Sequence, residues 1–112
     1  MPNENGHIEL SIRHNEEGRS FVCEVMGHEC YARYDSPEPH IMDVYKTFVH
    51  GDLRGKGIAE KLMLALCGFA RQNSRKIRPT CSYTVVFFKR HQEFADLLED
   101  GVDLEHCGSC RL

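Results

Sequence analysis

The spacing of apolar residues changes about halfway along the chain, from every second residue to a helical period. In the first half, apolar and polar residues alternate, which is the pattern of strands that bury one face. Four such strands are predicted, at residues 8–12, 21–25, 29–34 and 41–49. Segments rich in glycine, asparagine or proline separate them and indicate turns and loops. This half of the chain therefore predicts an antiparallel meander.

The second half predicts helices. Apolar residues recur at helical spacing from Lys56 to about Asn73. A short strand is predicted at residues 76–80, and a second helix at residues 82–98, broken near His91. A meander followed by helix, strand and helix predicts an α+β domain, in which two helices flank a mostly antiparallel central sheet.

Composition limits what this domain can be. The chain has 112 residues, of which 41% are hydrophobic, enough for one core. We expect residues 1–98 to form the domain and residues 99–112 to form a solvated tail. The net charge of −3 gives no electrostatic reason to expect nucleic-acid binding. No apolar run approaches about 20 residues, and the first six residues lack signal-peptide features. We therefore expect a cytoplasmic protein without membrane association.

Six cysteines without a secretory signal indicate reduced thiols. Three of them lie in periodic apolar segments and are predicted to be small core residues: Cys23, Cys30 and Cys67. Cys107 and Cys110 form a Cys-x-x-Cys pair, which suits half a zinc site or a redox pair. A complete zinc site needs four ligands, and only His106 is close by. We favour a reduced, solvated tail over metal binding or an intermolecular disulfide.

A glycine-containing loop lies between the fourth predicted strand and the first predicted helix. Gly55 and Gly57 permit backbone conformations that other residues avoid, and they let a ligand approach the amides closely. The first turn of a helix presents unpaired N–H groups that bind phosphate oxygens. Arg54 and Lys56 would supply counter-charge. The pattern indicates a phosphate-binding loop, with an ordinary strand-to-helix turn as the alternative.

Two common phosphate motifs do not fit this loop. A Walker loop requires Ser or Thr after Gly-Lys, whereas Gly57 follows Lys56. A dinucleotide fingerprint requires a third glycine or alanine at the position that Glu60 occupies. The segment from Arg54 to Ala59 instead reads Arg-x-x-Gly-x-Ala. It resembles the acetyl-CoA pyrophosphate loop of the GNAT acetyltransferase superfamily, and it stands between an apolar strand and a long helix.

The resemblance extends from about Phe48 to Leu98. This stretch looks like a branch of minimal GNAT-like domains, called YidJ-like or N-acetyltransferase domain proteins. In that branch a strand ends in Pro-x-Cys-x-Tyr, and the following helix carries an Arg-His pair before an acidic, aromatic segment. The matching residues are Pro79, Cys81, Tyr83, Arg90, His91, Glu93 and Phe94.

The resemblance implies a small GNAT-like fold that binds acetyl-CoA or CoA and transfers an acetyl group to an amine. The acceptor would be a small molecule or a protein. The backbone from Gly55 to Ala59 would hold the pyrophosphate, and the end of the fourth strand would pair with the pantetheine arm. The implied cofactor-binding residues are Phe48, Val49, Arg54, Gly55, Lys56, Gly57, Ile58 and Ala59. The alternative is a CoA-binding or protein-interaction module without turnover.

Cys81 is the candidate catalytic residue that the resemblance implies. It follows the fifth predicted strand and precedes the second helix, and a helix N-terminus lowers the pKa of a thiol. It would accept the acyl group as a nucleophile or act as an acid near the thioester. A structural cysteine at the helix start is the alternative. Most GNAT enzymes use a base on strand four, where Asp43 could face either way. No helices are predicted between the first two strands, so the acceptor site is open or completed by a partner.

Histidines are not expected to bind metal, because their positions show no metal-ligand spacing along the chain. This applies to His7, His14, His28 and His40. His50 is interpreted as exposed at a turn, with orientation of a cofactor group as the alternative. His91 is interpreted as structural, at the break of the second helix.

Overall fold

The computed structural model describes residues 11–104. They form a five-stranded sheet in the order β1-β2-β3-β4-β5, whose strands are antiparallel except for β5, which runs parallel to β4. The strands are β1 (Arg13–Asn15), β2 (Ser20–Val25), β3 (His28–Asp35), β4 (Ile41–Phe48) and β5 (Lys76–Pro79), and the helices are α1 (Ile58–Gln72) and α2 (Ser82–Arg90). Short 3₁₀ segments lie at Gly51–Leu53 and Gln92–Leu97. The predicted α+β class with a mostly antiparallel sheet is confirmed.

The first strand lies later in the chain than predicted. β1 begins at Arg13, and residues 8–10 of the predicted strand lie outside the described residues. The alternation nevertheless continues through His14, whose ring packs between Phe21 (centroids 4.1 Å apart) and Phe69 (4.3 Å). Its Nε2 lies 2.6 Å from the hydroxyl of Tyr34. A histidine thus occupies a core-facing position of the strand, and a pattern of alternating apolar residues does not reveal it.

The turn between β2 and β3 favours the antiparallel meander. Val25 pairs with His28 across a two-residue turn, in which Met26 (φ 51°) and Gly27 (φ 80°) are both left-handed. Positive φ at both central residues is the geometry that matches the twist of the flanking strands. Cys23 and Cys30 face each other across this hairpin, and both are buried.

β4 contains a β-bulge near the end of its pairing with β5. Arg33 pairs with Lys46 but Tyr34 pairs with Val44, so Tyr45 is an extra residue on β4. Bulges bend a strand and increase its twist. The parallel pairing of β4 with β5 ends at Val44, opposite Pro79. Beyond that point, β4 has no partner strand on this side within the described part of the chain.

The core lies between the sheet and α1. The predicted helical stripe is confirmed, because Ile58, Leu62, Leu66 and Ala70 are buried. They pack with side chains from the sheet and α2, among them Phe21, Ala32, Met42, Val44, Ile77, Phe87 and Phe88. α1 begins two residues later than predicted, because Gly57 has a left-handed backbone (φ 78°). The predicted break of the second helix is also confirmed, since α2 ends at Arg90 and a 3₁₀ segment follows.

The residues after the 3₁₀ segment stay attached to the sheet. Leu98 forms a bridge with Ile77, and the Glu99 N–H donates to the Ile77 carbonyl (2.9 Å). Arg78 donates two hydrogen bonds to the Glu99 carboxylate, at 2.7 and 2.9 Å. Leu104 is half-buried against the core. The domain boundary at residue 98 stays a prediction, and Cys107 and Cys110 lie outside the described residues.

No helix within residues 11–104 has both the length and the apolar character needed to cross a membrane.

The Arg78–Glu99 pair makes stability depend on pH. Hydrogen bonds from Arg78 lower the pKa of the Glu99 carboxyl. A carboxyl whose pKa is lower in the folded state stabilises the fold above its unfolded pKa of about 4.3 and loses that contribution as the pH falls through the folded value. Glu99→Gln is therefore expected to unfold at lower urea concentration than wild type at neutral pH, with the difference shrinking in acid. Glu24→Gln, on the exposed side of β2, is the control; a difference for Glu99→Gln that persists unchanged in acid would contradict the assignment.

Candidate functional site

A cavity of about 440 Å³ lies where β4 separates from β5. Its walls are the end of β4, the loop to α1, the first turn of α1 and one side of α2. The lining residues are Thr47, Phe48, Val49, Leu53, Arg54, Gly55, Gly57, Ile58, Ala59, Glu60, Tyr83 and Arg90. Seven of the eight predicted cofactor-binding residues are among them. Lys56 is exposed on the loop and does not line the cavity.

The loop is shaped by a short turn and two glycines. The Asp52 N–H donates to Nδ1 of His50 (3.1 Å), which caps the 3₁₀ turn, and Leu53 anchors that turn in the core. Gly55 (φ 83°) and Gly57 (φ 78°) both have left-handed backbones. Other residues pay about 1 kcal/mol or more for this conformation. The glycines at these two positions are therefore required by the course of the backbone.

The start of α1 leaves backbone donors free for a ligand. Gly57 is the N-cap residue and has no side chain to accept from the helix. The first helical bond runs from the Lys61 N–H to the Gly57 carbonyl (3.1 Å), so the preceding N–H groups have no partner within the helix. Residues 58–60 line the cavity. This end of the helix carries the positive end of the dipole, which favours an anion.

Two guanidinium groups and one carboxylate add charge to the cavity. Arg54 donates through Nε to the Val49 carbonyl (3.3 Å), which ties its side chain to the end of β4. Arg90 approaches from the end of α2. The carboxylate of Glu60 lies 2.8 Å from Nε2 of His91. The His91 contact links the end of α2 to the first turn of α1, which agrees with its interpretation as structural.

Cys81 does not line the cavity, but it contacts a residue that does. It is the N-cap residue of α2, as predicted, and is half-buried. Its N–H donates to the Val44 carbonyl (2.8 Å). Its Sγ lies 3.6 Å from the hydroxyl oxygen of Thr47, which itself lines the cavity. Thr47 therefore connects the thiol to the cavity, a role that the sequence did not reveal.

The other described cysteines are sequestered thiols, as predicted. Burial raises the pKa of Cys67 to about 12, and burial together with the neighbouring Cys30 raises the pKa of Cys23 to about 11. Since the thiolate is the reactive form, the raised pKa values of Cys23 and Cys67 disfavour reaction at neutral pH, and Cys30 is fully buried.

None of the β4 side chains that line the cavity is a base. Asp43 accepts a hydrogen bond from the Thr80 hydroxyl and does not line the cavity. Tyr83 does line it, and burial followed by the charge of Glu60 raises the pKa of its hydroxyl. The phenol therefore stays protonated at neutral pH and can donate a hydrogen bond. Glu60 is the one carboxylate among the lining residues.

Fold and cavity together define an α+β domain that presents a glycine loop at a helix N-terminus, a strand edge unpaired within the described residues and a nearby thiol. The sequence model of the GCN5-related N-acetyl-transferase family matches residues 20–97. The NMR solution structure of a GCN5-like protein from Staphylococcus aureus is similar, with a TM-score of 0.67 and 23% identity, over 87% of this chain and 94% of that one. No curated protein sequence matches significantly.

The chain belongs to the GCN5-related N-acetyltransferase family, since the match spans well over half of its length. It is accordingly an acetyltransferase by class, and the predicted GNAT membership is confirmed. The assignment to the YidJ-like branch stays a prediction.

The exposures of the thiols predict selective alkylation. In the folded protein we expect iodoacetamide to modify Cys81 while Cys23, Cys30 and Cys67, each at most 1% exposed, react only after unfolding. Peptide mapping by mass spectrometry measures the rates separately, and labelling in denaturant gives the unprotected rates. Equal protection of all four thiols would show that the Cys81 sulfur is not accessible.

Proposed function

We propose that this chain transfers the acetyl group of acetyl-CoA to an amine on a small molecule or protein, with Cys81 taking part in the chemistry. The single observation that carries the proposal is one continuous cavity that joins the glycine loop, the unpaired edge of β4 and Thr47, whose hydroxyl contacts Cys81. Groups that would bind an anion, pair with an extended chain and react with a thioester thus follow one another along a single cavity.

Acetyl-CoA fits this path by its chemistry. The backbone N–H groups of the loop and of the first turn of α1 would bind the pyrophosphate, with Arg54 as counter-charge. Lys56 would contribute from the solvent side of the loop. Phe48 and Val49 lie where β4 has lost its neighbour strand on one side, while the other side pairs with β3. Backbone groups of this segment that face the open side would hydrogen-bond the amides of the pantetheine arm, and the Val49 carbonyl there also accepts from Arg54. The thioester would then lie near Thr47.

Two roles for Cys81 are consistent with its contact to Thr47. As a nucleophile, its thiolate would attack the acetyl carbonyl, the bond to the CoA sulfur would break, and the amine would then take the acetyl group from Cys81. In that case the Thr47 hydroxyl would donate a hydrogen bond to the thiolate. As an acid, the thiol would instead give its proton to the departing CoA sulfur while the amine attacks directly, and the Cys81 thiolate would then take the proton that the amine nitrogen loses.

A CoA-binding module without turnover is the second candidate. The position of Asp43 favours this candidate, because its carboxylate accepts a hydrogen bond from Thr80 and does not line the cavity. No carboxylate from β4 is therefore placed to take a proton from the amine. The experiments below separate this candidate from the enzyme.

The loop assignment predicts the effect of a charge at Gly57. Gly57→Glu is expected to weaken CoA binding roughly 100-fold or more, because a like charge at about 4 Å costs about 4 kcal/mol near a protein surface. Calorimetric titration with CoA measures the effect. Gly68→Glu adds the same charge on the exposed side of α1 and should bind as wild type. Gly57→Ala separates backbone strain from charge, and normal binding by folded Gly57→Glu would refute the loop assignment.

The role of Cys81 is tested by intact-mass spectrometry after incubation with acetyl-CoA. A nucleophilic Cys81 predicts an added acetyl group in wild type and none in Cys81→Ala, with CoA binding retained. Thr47→Val should acetylate roughly fivefold more slowly, the equivalent of one hydrogen bond of about 1 kcal/mol, whereas Thr47→Ser should retain the rate. The variant Cys107→Ser/Cys110→Ser controls for acetylation of the tail thiols.

The same samples distinguish the alternatives. Release of CoA only when an amine is present, with no covalent adduct and with loss of activity in Cys81→Ala, would assign Cys81 as the acid. Binding without turnover over a panel of amines would favour the module. Absence of any binding would refute the proposed substrate.

A further inference from the structure

Two histidines that are far apart in sequence meet at one end of the sheet. His28 opens β3, and His50 follows the end of β4. The register that pairs Tyr31 with Phe48 places these two chain segments side by side. The imidazole rings stack with their centroids 3.7 Å apart and their planes 16° from parallel. Both side chains are half-buried, so the rings are held in place while remaining accessible from solvent.

A carboxylate completes the cluster. Asp52 lies two residues after His50, and one ligand atom from each of His28, His50 and Asp52 lies within 4.8 Å of the others. The Asp52 N–H donates to Nδ1 of His50, and Oδ2 of Asp52 lies 3.9 Å from the same nitrogen. A ring nitrogen that accepts a hydrogen bond carries a lone pair and no proton. Nδ1 of His50 therefore has a lone pair beside a carboxylate, and a metal that bound at this nitrogen would displace the Asp52 N–H from it.

We propose that His28, His50 and Asp52 form a binding site for a divalent transition-metal ion of the zinc class. Imidazole nitrogens suit Zn²⁺, Co²⁺, Ni²⁺ and Cu²⁺, whereas Mg²⁺ and Ca²⁺ prefer sites made of oxygen atoms. Bonds of about 2.0–2.2 Å in a tetrahedral site bring ligand atoms to about 3.4 Å from one another. The ligand atoms therefore need to approach one another by up to about 1.4 Å. The two stacked rings also need to rotate out of their parallel arrangement, because a metal lies in the plane of each imidazole that binds it; half-buried and exposed side chains permit such rotations.

The site adjoins the loop of the cavity, because His50 and Asp52 form the capped turn of that loop. None of its three side chains lines the cavity itself, so metal binding can be tested without the proposed acyl transfer. Three protein ligands leave a fourth position for water or another ligand. Within residues 11–104 no other three histidine, cysteine, aspartate or glutamate side chains are grouped this closely. The proposal departs from the sequence-based expectation that no metal is bound.

The experiment is a titration of the full-length, reduced and chelator-treated protein with Co²⁺, followed by displacement with Zn²⁺. Thiolate ligands give Co²⁺ an intense charge-transfer band in the near ultraviolet, whereas nitrogen and oxygen ligands give only weak visible bands. We expect one Co²⁺ per chain, visible bands without the thiolate band, and displacement by Zn²⁺. Bound Zn²⁺ should also raise the melting temperature of the wild type, because it binds the folded state.

Matched variants locate the site. His28→Ala and Asp52→Asn should each weaken binding by more than about tenfold, because even the loss of a residue that only supports a metal ligand typically costs about 10–100-fold in affinity. His40→Ala, an exposed histidine beside Glu38, and Cys107→Ser/Cys110→Ser should bind as wild type. In the wild type, Zn²⁺ should shift the ring ¹⁵N resonances of His28 and His50 together, a readout that needs no variant to fold.

Three results would overturn the proposal. Unchanged affinity in His28→Ala would show that the stacked pair is not a ligand pair. Loss of binding in Cys107→Ser/Cys110→Ser would assign the metal to the tail thiols. Ring resonances of His28 and His50 that do not respond to Zn²⁺ would exclude the site directly.

Discussion

The carbonyl of Val44 accepts hydrogen bonds from the backbone N–H groups of both Thr80 (3.1 Å) and Cys81 (2.8 Å), and the site depends on this junction. The double contact ends the pairing of β4 with β5 and turns the chain into α2. It leaves the rest of β4 without a neighbour on that side, within the described residues. The same bond fixes the backbone of Cys81, so its sulfur comes to rest against Thr47 on the unpaired part of β4.

An extra residue on β4, Tyr45, lies directly beside this junction. A bulge directly after Val44 changes the direction of β4 where the two strands part. The opening between β4 and α2 is therefore a consequence of backbone hydrogen bonding, and the side chains that line it contribute chemistry to a space that already exists.

Local pattern revealed most of the fold because its elements are set by local chemistry. The spacing of Ile58, Leu62 and Leu66 predicts α1 because a helix repeats along its own sequence. The loop that lines the cavity is predictable for the same reason, since the residues from Arg54 to Ala59 form one continuous segment. Tyr83 and Arg90 matched the branch motif, but nothing in the sequence showed that they face that loop.

What the sequence could not reveal depends on register. Thr47 and Cys81 are 34 residues apart, and their contact depends on where β4 and β5 separate. His28 and His50 show no metal-ligand spacing along the chain, yet antiparallel pairing of β3 with β4 stacks their rings. A one-residue shift in pairing would turn such side chains to the opposite face.

The start of α1 illustrates how the stability of the fold and the chemistry of the site are divided. A serine or aspartate N-cap would stabilise the helix by about 1 kcal/mol relative to alanine and only a few tenths relative to glycine. Its side-chain oxygen would, however, occupy the N–H groups that face the cavity. Burial of a large apolar side chain contributes about 1.5–3 kcal/mol, and Ile58, Leu62, Met63 and Leu66 are all buried. The buried face of α1 outweighs the missing cap several times over, so the helix keeps its first turn open to a ligand without losing its place in the core.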